Sequence, residues 1–492
     1  MTETPKKDDI IKLLIEDIGA EGVGVGRFNG EFVVFVPGTV PGDTVTAKIK
    51  KKKKKFAEST LVEILSPSQK RTVPRCEYFD DCNGCKMQNI EYGYQLEIKQ
   101  QTVKNAFERI GGFKEVEIPP VLGSSDIYFY RNKLEFSFSN SRWLTKEDME
   151  TENADKDFAL GYHIPGFIEK ILDIRACYLQ SELTNRILNS TRDFFKQRKL
   201  SVYSTRTHEG YLRFLTVRRS IATNELMVNL ITHTRDKALM EEYSQMIQKK
   251  IPEVTTLVNS ISTTKAQVAL ADDFNVIFGR GYIEEIIGGC KYKITPNSFF
   301  QTNSKQCAEL FETVKRFGEF KETEKVLDLY CGAGAISIYV SGLVKSVHGV
   351  ELSGESIEMA AVNAEINNIR NCTFESKDVK DYLENLVKPG VSGSKDDNRF
   401  ETFILDPPRS GIHPKAAECI LEYAPKKIIY VSCNPGTQAR DIALIAGKYH
   451  ITKLQPVDMF PHTFHIENVV RLDLKNKEEL QEQSLKEQSL EA

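Results

Sequence analysis

A doubly wound α/β domain, preceded by a small all-β barrel and a central α+β segment, is the fold class predicted for this 492-residue chain. Three observations carry it. From Val326 onward short apolar runs alternate with helical stretches, the pattern of parallel strands joined by crossover helices. The first of those runs leads into a glycine turn, Leu327-Asp328-Leu329-Tyr330-Cys331-Gly332-Ala333-Gly334. Residues 10–66, by contrast, hold short strand-like runs separated by Gly and Pro.

In chain order, Met1 to Asp9 lacks the apolar core of a signal peptide, and no apolar stretch is long enough to cross a bilayer. The expectation is therefore a cytoplasmic protein with no membrane partner. Residues 8–66 read as a five-stranded OB-like barrel, with strands near Ile11–Ile15, Glu31–Val36, Val45–Ile49 and Leu61–Leu65, and turns at Gly22–Gly26 and Pro37-Gly38. Lys50 to Lys55 is an unbroken cationic run, suited to phosphate contacts or simply to a solvated hairpin tip. The overall net charge of −3 gives no sign of a nucleic-acid binder, so the local field matters more. Phe28 and Phe56 are candidates for base stacking or for core.

Ser66-Pro67-Ser68 marks a boundary. Residues 67–90 and 121–285 read as a central α+β domain, with a helix over 182–195 and a hairpin from Tyr211–Arg218 and Leu226–Thr232. Residues 91–120, whose helix carries Leu96, Val103 and Phe107 on one face, and 286–475 read as the Rossmann-like domain. Its strands are expected at 326–329, 346–351, 372–375, 402–405, 427–431, 452–457 and 469–474. Residues 389–399 read as a surface loop, and 476–492 as a disordered tail.

The glycine turn lets backbone approach a bulky ligand at a helix N-terminus. A nicotinamide fingerprint would have a third glycine where Ser337 stands. The next strand ends in Glu351, placed to accept two ribose hydroxyls; this alone leaves adenosyl and nicotinamide cofactors both open. The loop Asp406-Pro407-Pro408-Arg409-Ser410-Gly411 narrows the choice, because two prolines stiffen an acid and a cation over the crevice. Its other reading is a rigid turn with a surface arginine. Arg409, where amino-methylases place an aromatic, argues against adenine chemistry.

Cys433 follows the apolar run Lys427–Val431, at the strand end where open α/β sheets hold their chemistry. A thiol, a cofactor pocket and a base suit group transfer to an unreactive carbon such as C5 of uracil. A thiolate added at C6 makes C5 electron-rich; once C5 is methylated, its proton must leave before the thiol is eliminated. An inert buried cysteine is the competing reading. For the base, Glu467 competes with His462 and His465, and the residues alone leave that choice open. Gln301 and Asn303 offer amides to a base edge or cofactor, although Asn303 equally suits a helix cap.

Cys76, Cys82 and Cys85 lie within ten residues, with Cys177 as a distant fourth. In a chain with ten cysteines read as cytosolic, that density points to zinc or an iron–sulfur cluster rather than disulfides. The remaining cysteines, Cys290, Cys307, Cys331, Cys372 and Cys419, read as packing residues.

Phe-Phe-Gln-Thr-Asn, Asp-Leu-Tyr-Cys-Gly-Ala-Gly, Asp-Pro-Pro-Arg-Ser-Gly, Ser-Cys-Asn-Pro and His-Ile-Glu-Asn-Val, in that order, resemble the RNA uracil-5-methyltransferase family. The barrel resembles that family's TRAM domain. The resemblance implies S-adenosyl-L-methionine as methyl donor, Cys433 as nucleophile and Glu467 as the base. It also implies Gln301, Tyr330, Glu351 and Asp406 as the cofactor site, and a class I methyltransferase domain. Cys76, Cys82, Cys85 and Cys177 would hold a [4Fe-4S] cluster, as in the family's ribosomal branch, with zinc as the alternative. The implied substrate is 23S rRNA, with a transfer RNA or a silent RNA-binding assembly role as alternatives. The expected form is a monomer needing no protein partner.

Overall fold

The computed structural model describes residues 4–19, 22–82, 84–151, 155–388, 399–476 and 478. The expected loop at 389–399 and tail at 476–492 lie almost wholly outside these residues.

Strands β1 (Ile10–Ile18), β2 (Gly24–Phe28), β3 (Phe32–Val36), β4 (Thr44–Lys52) and β5 (Phe56–Ser66) form a closed barrel in the order β1-β2-β3-β5-β4. Alternation sets its inside: Ile11, Leu13 and Ile15 are buried while Ile10, Lys12 and Leu14 face out. The glycine run read as a turn instead enters β2. A Cβ at Gly24 would lie 1.9 Å from Thr39 Oγ1, and one at Gly26 only 2.8 Å from the Leu14 carbonyl oxygen. These glycines are there because the small barrel has no room for a side chain. Lys50 to Lys55 form an exposed hairpin end between β4 and β5. Phe28 packs against the barrel core and Phe56 meets Phe35 edge-on at 5.5 Å.

The chain then forms α1 (Tyr92–Arg109), β6 (Lys133–Ser139), β7 (Arg142–Trp143), α2 (Lys146–Glu150), β8 (Ala159–Ile164), β9 (Phe167–Asp173), α3 (Glu182–Gln197), β10 (Leu212–Arg219), β11 (Leu226–Thr232), α4 (Lys237–Lys250), β12 (Thr256–Ile261) and β13 (Asp273–Phe278). The eight strands make one sheet, ordered β13-β12-β11-β10-β6-β8-β9-β7. Phe194 and Phe195 of α3 and Tyr243 of α4 pack together in its core.

A hairpin, β14 (Ile283–Ile287) and β15 (Cys290–Ile294), leads to α5 (Ser304–Gly318) and a seven-stranded sheet. Its elements are β16 (Lys325–Leu329), α6 (Ala335–Val340), β17 (Ser346–Glu351), α7 (Gly354–Ile366), β18 (Cys372–Ser376), α8 (Val379–Leu386), β19 (Thr402–Leu405), α9 (Pro414–Tyr423), β20 (Lys427–Ser432), α10 (Pro435–Ile445), β21 (Tyr449–Val457) and β22 (Glu467–Leu474). The order is β18-β17-β16-β19-β20-β22-β21, with β22 antiparallel to both neighbours. Fully buried apolar strands such as Lys427–Ser432 reflect helices on both faces. Helices α1, α8, α9 and α10 cover one face, and α5, α6 and α7 the other. Strands are added outward in opposite senses on either side of the parallel pair β16 and β19, and the crevice opens at their carboxyl ends.

Helix α1 joins this sheet from far upstream. Lys99 Nζ donates to Asp458 Oδ1 at 2.6 Å with both side chains buried, and Tyr92 Oη donates to Asp458 Oδ2 at 2.9 Å. Two charges out of water hold only while each has the other. Asp458→Leu should therefore cost about 3–5 kcal/mol by stranding Lys99. A lowered thermal transition in Asp458→Leu, largely recovered by adding Lys99→Met, is the expected calorimetric result.

Candidate active site

The pairing of β20 with β22 brings the two proposed chemical groups together. The register runs Val431↔Val469 and Ser432↔Asn468, so the next residues in line are Cys433 and Glu467, on one face of the sheet. Glu467 was expected in the loop before the last strand; it is instead that strand's first residue, paired with Val457 on the other side. Buried Gln438 and Asn468 fix the register: Asn468 Nδ2 donates to Gln438 Oε1 at 2.7 Å, and Gln438 Nε2 donates to the Asn468 and Tyr430 carbonyls. After Cys433, Asn434 caps α10, its Oδ1 accepting the Gly436 and Thr437 amides.

Cys433 is half-buried, and its thiol is pushed up to about 11, first by burial and then by the Glu467 carboxylate, against the lowering effect of Arg409. Glu467 is held well above the usual carboxylate range by burial and by Asp406, again opposed by Arg409. Arg409 is thus the cation common to both groups. Its loop is anchored by α10: Asp441 Oδ2 accepts the Ile412 amide and the Tyr430 hydroxyl, and Arg440 donates to the Ser410 carbonyl. Gly411 sits at φ +78°, and a Cβ there would run into Asp441.

The crevice at the carboxyl ends of β16, β17 and β19 is acidic. Asp328 is buried and pushed up to about 7 by burial, and half-buried Asp406 is pushed up to about 7 by burial and by Asp328. Ser337, where a nicotinamide fingerprint has glycine, donates from its hydroxyl to Asp328 Oδ2 at 2.5 Å. Asp328 Oδ1 has no hydrogen-bond partner among the described residues. Tyr330 turns out of β16 at φ +66°, its amide donating to the Val350 carbonyl. Glu351, at the end of β17, accepts the Gly332 and Ser353 amides. Tyr330, Glu351 and Asp406 therefore lie at the ends of neighbouring strands.

Gln301 precedes α5, its carbonyl held by Asn132 Nδ2 at 2.8 Å while its side-chain amide makes no hydrogen bond among the described residues. Asn303 caps α5 and donates to the Met459 carbonyl, so its amide serves the scaffold. The rival histidines separate. His462 is buried at φ +65°, with Nδ1 3.2 Å from Gln95 Nε2 and its carbonyl accepting the Lys86 and Met87 amides. His465 stacks near Phe464 and faces Arg409 at 3.4 Å. Both are pushed down to about 4 by burial, and neither is among the charges acting on Cys433.

Cys76, Cys82, Cys85 and Cys177 line one cavity of about 260 Å³. Their thiols are pushed up by burial, and Cys85 feels each of the other three. Among the described residues no group of three or more His, Cys, Asp or Glu side chains that could hold a metal ion is formed, by these cysteines or by others. Also among the described residues, no helix is long and apolar enough to cross a membrane.

Residues 91–475 match the tRNA (Uracil-5-)-methyltransferase family, and residues 9–62 match the TRAM domain. An uncharacterized RNA methyltransferase of Bacteroides thetaiotaomicron is 43% identical over 93% of this chain and 100% of its own. One from Chlorobaculum tepidum is 40% identical over 94% and 96%. The crystal structure of Pyrococcus abyssi tRNA (uracil-54, C5)-methyltransferase in complex with S-adenosyl-L-homocysteine matches with TM-score 0.71 at 29% identity, over 94% of this chain and 100% of that one. Fold and comparisons together define an S-adenosylmethionine-dependent RNA methyltransferase. The chain belongs to the tRNA (uracil-5-)-methyltransferase family.

Arg409 gives a direct test of the electrostatics. Removing it in Arg409→Ala should raise the Cys433 pKa further and slow iodoacetamide labelling of that thiol by about two- to ten-fold at fixed pH. Mass spectrometry of the labelled peptide reads the rate, which should recover as pH is raised.

Proposed function

We propose that this chain methylates C5 of a uridine in 23S rRNA through a transient bond between Cys433 Sγ and C6. The observation that carries the reading is the register that sets Cys433 opposite Glu467 beside the acidic crevice. The Cys433 thiolate adds to C6, leaving C5 as an enolate carbon. When bound, S-adenosylmethionine would supply an electrophilic methyl to that carbon, its S–CH3 bond breaking to leave S-adenosylhomocysteine. Glu467 then takes the C5 proton, and the electrons of that bond restore the ring double bond as the sulfur leaves.

Gln301, Tyr330, Glu351 and Asp406 are the proposed cofactor residues. The partnerless Asp328 oxygen and the carboxyls around it suit a ligand bearing positive charge. The exposed lysine hairpin of the barrel suits RNA phosphates, in keeping with cytoplasmic work on a structured RNA.

Cys76, Cys82, Cys85 and Cys177 are the proposed ligands of a [4Fe-4S] cluster. The support for this reading is that the four thiols line one cavity, the donor set such a group takes, with zinc as the alternative. Such a centre would supply rigidity here, since the methyl transfer moves no electron to or from it. The second reading of substrate is a transfer RNA, favoured because the Pyrococcus abyssi tRNA (uracil-54, C5)-methyltransferase matches 94% of this chain.

Tritium release from C5-labelled uridine RNA tests the chemistry. Cys433→Ala should abolish both release and covalent adduct, whereas Glu467→Gln should accumulate adduct and lose release by about 10²–10⁴-fold. Both key groups are held above their usual pKa, so raising pH deprotonates them. The single-turnover rate should therefore climb from neutral into the alkaline range, and a rate that falls there would contradict the assignment. Mass mapping of 23S rRNA and tRNA from a strain lacking the gene should reveal one missing methyl, in 23S rRNA.

A further inference from the structure

Residues 296–304, the stretch that carries Gln301 into α5, are held at three places. From β10 of the central sheet, the buried Arg218 guanidinium donates to the Pro296 and Ser298 carbonyls. Just ahead of β6, Asn132 donates its backbone amide to the Thr302 carbonyl at 2.7 Å. Its Nδ2 donates to the Gln301 carbonyl at 2.8 Å and to Ser304 Oγ at 2.9 Å. In the loop that leads to Glu467, the Met459 carbonyl accepts Asn303 Nδ2 at 3.1 Å.

Ser304 passes the connection on. Its hydroxyl accepts from Asn132 and donates to Glu285 Oε2. Glu285, fully buried on β14, also accepts the Ile221 and Ala222 amides and the Ser220 hydroxyl, each at 3.0 Å, in the turn after β10. A carboxylate out of water is tolerable only with such donors around it, so this junction is not free to rearrange. The Arg219 amide donates back to the Asn132 carbonyl at 2.8 Å, which completes the ring. Both Nδ2 protons of Asn132 are used, and the Ser304 hydroxyl is used in both directions.

Gln301 is what this ring leaves uncommitted. Asn303 and Ser304 give their side chains to the scaffold, whereas the half-buried Gln301 amide makes no hydrogen bond among the described residues. A fixed backbone beneath an unspent amide is a pre-organised recognition element, its ordering cost met in folding rather than on binding.

We infer that Asn132, Ser304 and Glu285 are positioning residues for the cofactor: together they hold the Gln301 backbone so that its free amide meets S-adenosyl-L-methionine. The inference rests on the cofactor role proposed above for Gln301.

The test is a double-mutant cycle on the full-length protein, read as the Kd for S-adenosyl-L-homocysteine by calorimetry. Gln301→Ala should weaken binding about ten-fold by removing the amide itself. Ser304→Ala should weaken it about five-fold alone but less than about two-fold when added to Gln301→Ala, because its effect reaches the ligand only through that amide. Asn132→Ala should behave as Ser304→Ala does, and Ser304→Ala decides the matter if Asn132→Ala fails to fold. An unchanged Kd in Ser304→Ala beside a weakened Gln301→Ala would overturn this proposal alone, as would an equal loss in both backgrounds, the mark of a general structural effect. An unchanged Kd in Gln301→Ala would overturn the cofactor assignment of Gln301 and this proposal with it.

Discussion

The register between β20 and β22 is the constraint on which the site depends. Side chains alternate across a strand, so a slip of one residue would send Cys433 and Glu467 to opposite faces of the sheet. Gln438 and Asn468 prevent that slip by bonding to each other and to backbone on both strands in a place where an unmatched amide would be costly. The antiparallel insertion of β22 is equally necessary. A parallel strand at that position would begin at the far edge of the sheet and leave the thiol without a facing carboxylate.

Burial gives this site its chemistry and also its difficulty. Removing water raises the carboxyls of Asp328, Asp406 and Glu467 together, and a positive ligand beside them would lower them again. The same burial suppresses the Cys433 thiolate, and Arg409 is the opposing charge. Its rigid loop keeps that charge in place: two prolines limit the backbone, and Asp441 and Arg440 hold the far end.

Much of this was legible in the residues. Strands 346–351 and 402–405 fall where apolar runs placed them, because β-branched and aromatic residues between helical stretches have few alternatives. Gly24 and Gly26 misled because a turn and a crowded barrel wall use the same residue. Cys433 could be placed at a strand end by pattern, but nothing local tells which carboxylate will face it. That follows from pairing between strands separated by a helix and a further strand. His462 looked like a base and is a structural post, since its partners Gln95, Lys86 and Met87 lie more than three hundred residues earlier.

The buried Lys99–Asp458 pair has a consequence for how the molecule is made. Helix α1 emerges from the ribosome early, but the carboxylate that neutralises its lysine is synthesised some three hundred and sixty residues later. Until then its apolar stripe has no sheet to lie on, and the nascent chain carries an incomplete layer exposed to chaperones and to aggregation. That layer is complete only when β22 has been made and pairs between β20 and β21, so a chain that stops before Glu467 holds the Cys433 thiol without the carboxylate that faces it.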